Sequence, residues 1–204
     1  DDMYETSRAV RDEQYIYIRH FMPQYPYIQE GYIFSDRKES FKMLRAEHNA
    51  NNLPPASEDM WHPKPIEELY DLKTYPHELN NLAENPDYQE IKSRLQKEMH
   101  KWILEHKDVG LLHEAEFMIR SIGSTPYEYA QSEYYKIEEI LEAAEMVGKA
   151  SVTSLQENLL NEDSGVRYWG VIGLMALGEE AKVAEKQLLE ILMNDPSPSV
   201  QIAA

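Results

Sequence analysis

Four basic side chains lie in or beside a tyrosine-rich pair of predicted strands near the start of the chain: Arg8, Arg11, Arg19 and His20. The guanidinium fork of arginine suits sulfate, phosphate or carboxylate groups, and the flat faces of tyrosines suit sugar rings. The alternative is that these four groups are polar residues at strand edges that pair with the abundant carboxylates. The pattern therefore predicts either a surface that contacts an anion or a sugar, or an ordinary charged strand face.

Elsewhere the sequence carries no recognisable catalytic or metal-binding motif. It contains no cysteine, which excludes disulfides, thiolate metal sites and cysteine nucleophiles within these 204 residues. The histidines form neither an HExxH motif nor a tight HxH pair, and there is no nucleophile elbow and no glycine-rich phosphate loop. Residue chemistry alone thus predicts no catalytic centre and no bound metal. The histidines are His20, His48, His62, His77, His100, His106 and His113.

The elements that would position the basic cluster are a hairpin, a third strand and a long helix. Residues 4–11 and 15–21 are rich in aromatic and β-branched side chains and flank a turn-like segment, which predicts the hairpin. Residues 69–72 predict a short strand. Residues 86–106 predict the long helix, because Asn85 can cap it, Pro86 suits its first position, and apolar residues recur at helical spacing up to Trp102.

The last third of the sequence changes character and predicts packed helices. Helices are expected from about Ser132 to Val147 and again over 154–161. Val166 and Val200 are 34 residues apart, and each follows a cluster containing Asn, an acidic residue and Ser. Each also begins a small-residue apolar stretch, which indicates an internal repeat of helix pairs. The second copy stops within its second helix, so we expect the natural chain to continue.

Composition limits the classes of partner. The formal net charge is −17, and a binder of nucleic acid or of an anionic membrane surface needs a basic face. The sequence contains no run of about 18 apolar residues, which is the length needed to span a membrane. We therefore expect neither nucleic acid nor membrane as a partner.

Residues 67–84 resemble the C-terminal subdomain of sulfatases. The family pattern is E-E-L-Y-D-L, a spacer, D-P-H-E and then N-L-A. This chain reads EELYDL at 67–72, YPHE at 75–78 and NLA at 81–83, with Tyr75 in place of the usual Asp. The hairpin and the helix that starts at Asn85-Pro86 are similar to the family as well. The loop RHFMP at 19–23 resembles relatives of heparan N-sulfatase (N-sulfoglucosamine sulfohydrolase), and residues 151–204 are similar to HEAT-like repeats.

The resemblance implies an α+β fold: a small antiparallel sheet with a long packed helix over 1–120, a helical connector over 121–150, and a truncated all-α HEAT-like segment over 151–204. Sulfatases use a formylglycine made in a C/S-x-P-x-R motif and a calcium ion. This chain lacks that motif, so both are expected in a larger N-terminal catalytic domain. The resemblance implies that this domain and a sulfated saccharide are the partners, and that the protein is exported to the periplasm or the extracellular space.

The resemblance also implies a substrate-side role for Arg19 and His20, which precede a loop similar to one that faces the family's pocket. Neither would cleave the sulfate, and the isolated chain is expected to be inactive. Two alternatives stay open from the residues: a helical-repeat module that binds protein partners, and a carbohydrate-binding domain without catalysis.

Overall fold

A three-stranded antiparallel sheet organises the N-terminal part of the chain. In the computed structural model, which describes residues 4–29, 31 and 37–204, the strands are β1 (Ser7–Arg11), β2 (Tyr15–His20) and β3 (Glu67–Asp71), in the order β1-β2-β3. The register places Arg8 opposite Arg19 and Ile18 opposite Glu68. The predicted hairpin and third strand are therefore confirmed, and the fold is of the α+β class.

The contacts of the chain group it into two units, Asp1–Leu95 and Gln96–Ala204. The predicted boundaries at residues 120 and 150 stay a prediction. Among the described residues, the first unit holds two helices after the hairpin and the start of a long one. These are α1 (Glu39–Asn49), α2 (Pro55–Glu58) and α3 (Gln89–His106), and α3 continues into the second unit.

The first unit buries one face of its sheet, together with the chain that follows β2 and β3. The side chains of Tyr17, Phe21 and Leu69 have no exposed surface. Asn85 caps the turn that leads into α3 by accepting a hydrogen bond from the backbone N–H of Asp87, as its position before a proline predicts. In that turn, the Tyr88 ring meets the ring of Tyr15, at the start of β2, edge to face with the ring centres 6.3 Å apart.

The second unit is built of helices among its described residues. A short 3₁₀ turn (Val109–Leu111) precedes the helices that come after α3, and a second 3₁₀ segment (Gly178–Ala184) lies between the fifth and the sixth of them. The helices are α4 (Glu114–Arg120), α5 (Pro126–Gln131), α6 (Ile137–Glu145), α7 (Val152–Asn158), α8 (Ser164–Leu177), α9 (Glu185–Asn194) and α10 (Pro198–Ala203).

The centre of the second unit is α8, which is buried along most of its length. Glycines allow neighbouring helices to approach it closely: a Cβ at Gly173 would lie 2.3 Å from a methyl carbon of Leu155 on α7. The helices α8 and α10 begin at the two places, around Val166 and Val200, where the 34-residue repeat predicts them. No helix among the described residues has the length and apolar character needed to cross a bilayer.

Candidate functional site

Arg19 lies in the interior of the first unit and has no exposed surface. Its Nη1 donates to the backbone carbonyl of His20 at 2.6 Å and to that of Ile66 at 3.3 Å. Its guanidinium carbon lies 5.0 Å from the centre of the Phe21 ring, a cation–π contact. The charge therefore holds together the backbone at the end of β2 and the start of β3.

His20 lies beside Arg19 on the strand and is also buried, with 4% of its surface exposed. Its Nε2 is 3.0 Å from Oε1 of Glu68, the residue that follows Glu67 at the start of β3. Its Nδ1 is 3.4 Å from Oε1 of Glu5, which is an ion-pair distance rather than that of a good hydrogen bond. The imidazole thus bridges two carboxylates from different parts of the chain.

Glu68 is the centre of this arrangement. Besides His20, its carboxylate accepts hydrogen bonds from the hydroxyls of Tyr27 and Tyr70. Burial, followed by the charge of Glu68 and the hydrogen bond to it, raises the pKa of Tyr70. Tyr70 therefore stays protonated and acts as a hydrogen-bond donor at any ordinary pH.

Lys64 completes the charge balance of the cluster. Its ammonium group, whose side chain is fully buried, lies 2.8 Å from Oε2 of Glu5 and 5.4 Å from the centre of the Tyr27 ring. The contact with His20 is the main cause that lowers the pKa of Glu5 to about 2; burial opposes this shift and Lys64 adds to it. Two carboxylates therefore face two basic groups, and the cluster is neutral when His20 is protonated.

The pKa of His20 is set by opposing effects. Burial alone lowers it, but the contacts with Glu5 and then Glu68 outweigh burial, so that the pKa lies above its usual value of 6.5. The folded protein therefore keeps His20 protonated at a pH where the unfolded chain would release the proton.

A cleft of about 540 Å³ opens beside Glu68. Tyr27, Tyr70 and Glu68 form part of its wall, so the polar cluster reaches the surface there. Arg19 and His20 do not line it. His20 thus contacts Glu68, which lines the cleft, whereas Arg19 holds the neighbouring backbone.

Arg8 and Arg11 are the other two basic residues of the predicted cluster. The side-chain contacts that the structure gives for them do not involve Arg19 or His20. Arg8 donates from Nη1 to the carbonyl of Ser7, and Arg11 is exposed at the end of β1. The substrate-side role of Arg19 and His20 stays a prediction.

The residues that sequence reasoning did not single out are Glu5, Lys64 and Glu68. Of these, Glu68 was signalled by its place in the EELYDL segment.

Two side chains, those of Asn81 and Asp71, hold the backbone of the EELYDL segment and of the turn that follows it. Asn81 accepts at Oδ1 from the N–H groups of Leu69 and Ala83, both at 3.0 Å, and donates from Nδ2 to the carbonyl of Glu67. Asp71 accepts from the N–H groups of the two residues after Leu72 and so closes the turn. These bonds fasten the chain after the turn to β3.

Replacing Asn81 with alanine should therefore lower the free energy of unfolding of the first unit by about 2 kcal/mol, since three backbone groups lose their partner. Asn80, its exposed neighbour, provides the control: Asn80→Ala should change stability by less than about 0.5 kcal/mol. Urea denaturation of both variants measures the difference. Equal losses for the two variants would contradict the role assigned to Asn81.

The buried cluster also predicts a pH dependence. Because the pKa of His20 is raised in the folded state, its contribution to stability is complete below about pH 6.5 and is lost as the pH rises through the folded value. The contribution of Glu5 has the opposite sign: it is complete above about pH 4.5 and is lost as the pH falls toward 2. The cluster should stabilise the fold most between these limits.

This prediction is tested with His20→Gln. The variant should be less stable than the parent chain at pH 5.5, and the difference in free energy of unfolding should shrink at pH 9, where the parent has lost the protonated imidazole. His77 is exposed, and His77→Gln should show no such change between the two pH values. A difference for His20→Gln that stays constant with pH would show that the imidazole is neutral in the fold.

No three metal-binding side chains of His, Asp or Glu are grouped so as to hold a metal ion within residues 4–29, 31 and 37–204. The placement of calcium and formylglycine in a larger N-terminal domain stays a prediction.

Two curated proteins of Formosa agariphila, both named ulvan-active sulfatase, match this chain. One is 36% identical over an alignment of 119 positions that covers 54% of this chain and 19% of that protein. The other is 34% identical over 103 residues, which are 50% of this chain and 18% of that protein. About half of the chain is a sulfatase-like region.

The matched part spans less than a fifth of the length of these sulfatases. No family model matches the chain, and no solved structure matches it. A sulfatase-like region over about half of the chain is thus supported. The HEAT-like repeat over 151–204 is not, and it stays a prediction.

Proposed function

We propose that this chain supplies the C-terminal subdomain of a sulfatase that hydrolyses sulfate from a sulfated saccharide. The observation that carries the proposal is the similarity of half the chain to two ulvan-active sulfatases. The buried cluster around Glu68, which lies on the sulfatase-like segment and reaches a cleft, supports a substrate-side role for this unit.

In this proposal, the chain shapes the saccharide site and does not carry out the cleavage. Glu68 and Tyr70 form the wall of the cleft, and His20 is a positioning residue that holds the Glu68 carboxylate. Arg19 is a positioning residue as well, because it fixes the carbonyls of His20 and Ile66. The calcium ion and the formylglycine belong to an N-terminal catalytic domain of the same exported protein.

Two substrates follow from the two resemblances. The curated relatives are named for ulvan, whereas the RHFMP loop resembles relatives of heparan N-sulfatase. We propose ulvan as the first substrate to test, since the measured identity supports it, and an N-sulfoglucosamine saccharide as the second.

The test compares the native protein from its source with the 204-residue chain alone. Intact mass and peptide sequencing upstream of Asp1 should reveal a longer protein with a C/S-x-P-x-R motif. That protein should release sulfate from ulvan or from the N-sulfoglucosamine saccharide, and the 204-residue chain, folded by circular dichroism, should release none. A native protein without the motif, or without sulfate release from either substrate, would contradict the proposal.

The same comparison separates the alternative of carbohydrate binding without catalysis. In that case the native protein would bind the saccharide and release no sulfate from it. Turnover of an aryl sulfate by the isolated chain would instead show that the catalytic group lies within these residues.

A further inference from the structure

The cleft beside Glu68 has an electrostatic character that does not suit a sulfate group. Three carboxylates line it, those of Asp59, Glu68 and Glu78, and neither lysine nor arginine is among the described residues of its wall. His62 is the one residue of that described lining with a basic side chain. A sulfate monoester entering here would meet like charges at short range, which disfavours binding.

The same wall offers what an uncharged saccharide ring needs. The side chains of Ile18, Met60 and Leu79 give it apolar surface, and Tyr27 and Tyr70 add aromatic surface with hydroxyl groups. Ligand sites are typically such clefts of about 300 to 1,000 Å³ with a few well-placed polar groups, and this cleft of about 540 Å³ falls within that range. Carboxylates accept hydrogen bonds from sugar hydroxyls, and these charge-assisted bonds are the stronger kind.

Glu68 differs from an ordinary surface carboxylate because it is fixed before any ligand arrives. It is 3% exposed, and His20, Tyr27 and Tyr70 all hydrogen-bond to it. A rigid acceptor of this kind selects a donor by position, since it cannot turn to follow the ligand. Its nearest basic group is His20, whose Nε2 lies 3.0 Å from Oε1 of Glu68.

We propose that the cleft beside Glu68 binds an uncharged, hydroxyl-bearing ring of the saccharide and excludes the sulfate group. This inference rests on the proposed function, because it names the part of the substrate that this unit recognises. The sulfate is left to the N-terminal catalytic domain, and the cleft fixes which sugar lies next to it.

The test uses the native protein and two pairs of variants. Tyr70→Phe removes a hydroxyl from the cleft wall, and Tyr75→Phe, at a tyrosine that is half exposed and outside the cleft, is its control. Glu78→Gln removes a charge at the exposed rim, and Glu84→Gln is its control. The probes for calorimetry are desulfated ulvan oligosaccharide, the intact ulvan oligosaccharide, sodium sulfate and glucosamine.

The desulfated oligosaccharide should bind, and its affinity should fall by about 3- to 10-fold in each variant, because Tyr70→Phe removes one hydrogen bond and Glu78→Gln removes the charge that strengthens another. Both control variants should match the parent protein. Millimolar sodium sulfate should not compete for the cleft, so it should leave the affinity for the desulfated oligosaccharide unchanged. Competition by sulfate, or equal affinity in all four variants, would overturn the inference.

Carboxylates could also attract a cation, and the ammonium group of glucosamine is the probe for that alternative. If its ammonium group binds, if Glu78→Gln abolishes this binding, and if the neutral oligosaccharide does not bind, the cleft is a site for a cation and the inference is wrong.

Sulfate release separates the inference from the proposed function. If the native protein releases sulfate from ulvan while Tyr70→Phe and Glu78→Gln leave KM unchanged, the inference about the cleft fails and the proposed function stands. If the native protein releases no sulfate while the cleft variants weaken binding of the desulfated oligosaccharide, the proposed function fails and the cleft stands as a saccharide site.

Discussion

Replacing Arg120 with methionine is expected to lower the free energy of unfolding of the second unit by about 3 to 5 kcal/mol. The Arg120 guanidinium, with 16% of its side chain exposed, lies 2.9 Å from Glu116 and 2.8 Å from Asp163. It also donates to the hydroxyls of Tyr129 and Ser164. Methionine would fill similar space but leave two buried carboxylates without their cation.

The control for this prediction is Arg94→Met in the first unit. Arg94 makes an ion pair with Asp12 at 2.5 Å, but 53% of its side chain is exposed, so solvent screens the pair. We expect this variant to lose less than about 1 kcal/mol. Thermal or urea unfolding of both variants measures the contrast, and similar losses would show that the Arg120 network is no stronger than a surface ion pair.

The Arg120 network matters because it joins the start of two helices to α4. Glu116 accepts from the hydroxyl of Ser164, at the start of α8, and at 2.7 Å from that of Ser197, just before α10. Burial alone would raise the pKa of Glu116, but the two serines and then Arg120 outweigh it, so the pKa is lowered. One carboxylate therefore holds a serine at the start of each of the two helices, α8 and α10.

A second ion pair links α8 to Asp195, the residue that follows α9. Arg167 on α8 makes a two-pronged contact with Asp195, at 2.7 and 2.8 Å, and also donates to the carbonyls of Asn161 and Glu162. Val166 and Val200 each follow a cluster containing Asn, an acidic residue and Ser, which is why the starts of α8 and α10 could be predicted. The pairing of Arg167 with Asp195 could not be predicted, because periodicity gives the position of a residue along a helix and not its partner on a neighbouring element.

The hairpin was predictable because its signal is local. Aromatic and β-branched residues flank Asp12, whose Oδ1 accepts from the N–H groups of Gln14 and Tyr15 and closes the turn. The start of the long helical segment was predictable for the same reason, since Asn85 caps the 3₁₀ turn Pro86–Tyr88, which continues directly into α3 at Gln89. The hairpin turn and the helix start both depend on residues that are neighbours in the sequence, so both can be predicted from it.

The helix expected from about Ser132 begins instead at Ile137, so that boundary was wrong. Ser132 hydrogen-bonds back to the carbonyl of Tyr129 and ends α5. Tyr135 is 4% exposed, and its hydroxyl donates to the carbonyl of Asp108 at 2.6 Å, which holds this stretch in a non-helical conformation. A contact across 27 residues thus overrides the helical pattern, and no local signal shows it.

The candidate site was predictable in part. Arg19 and His20 were singled out by residue type, but type does not distinguish a side chain that supports the backbone, as Arg19 does, from one that faces a cleft. Glu68 was visible within the EELYDL segment. Glu5 and Lys64 were not, because Glu5 meets His20, and Lys64 meets Glu5, only through the packing of segments that lie outside the paired strands.

Replacing Trp169 with alanine should destabilise the second unit by about 3 to 5 kcal/mol. Trp169 on α8 is 1% exposed, and its Nε1 donates to the carbonyl of Leu111 at 2.8 Å. Alanine would leave a large cavity and would also leave the carbonyl of Leu111 without this donor. Trp169→Phe should cost less, since the ring fills part of the cavity.

Trp102 provides the matched control, because it is 52% exposed and stacks on His106 at 4.6 Å. Trp102→Ala should cost less than about 1 kcal/mol, since it removes little buried surface. Chemical denaturation followed by circular dichroism measures all three variants. A loss for Trp169→Ala no larger than that for Trp102→Ala would mean that the segment around Leu111 is held by other contacts. The expected order instead makes Trp169 the residue that fastens the chain after α3 to the centre of the helical unit.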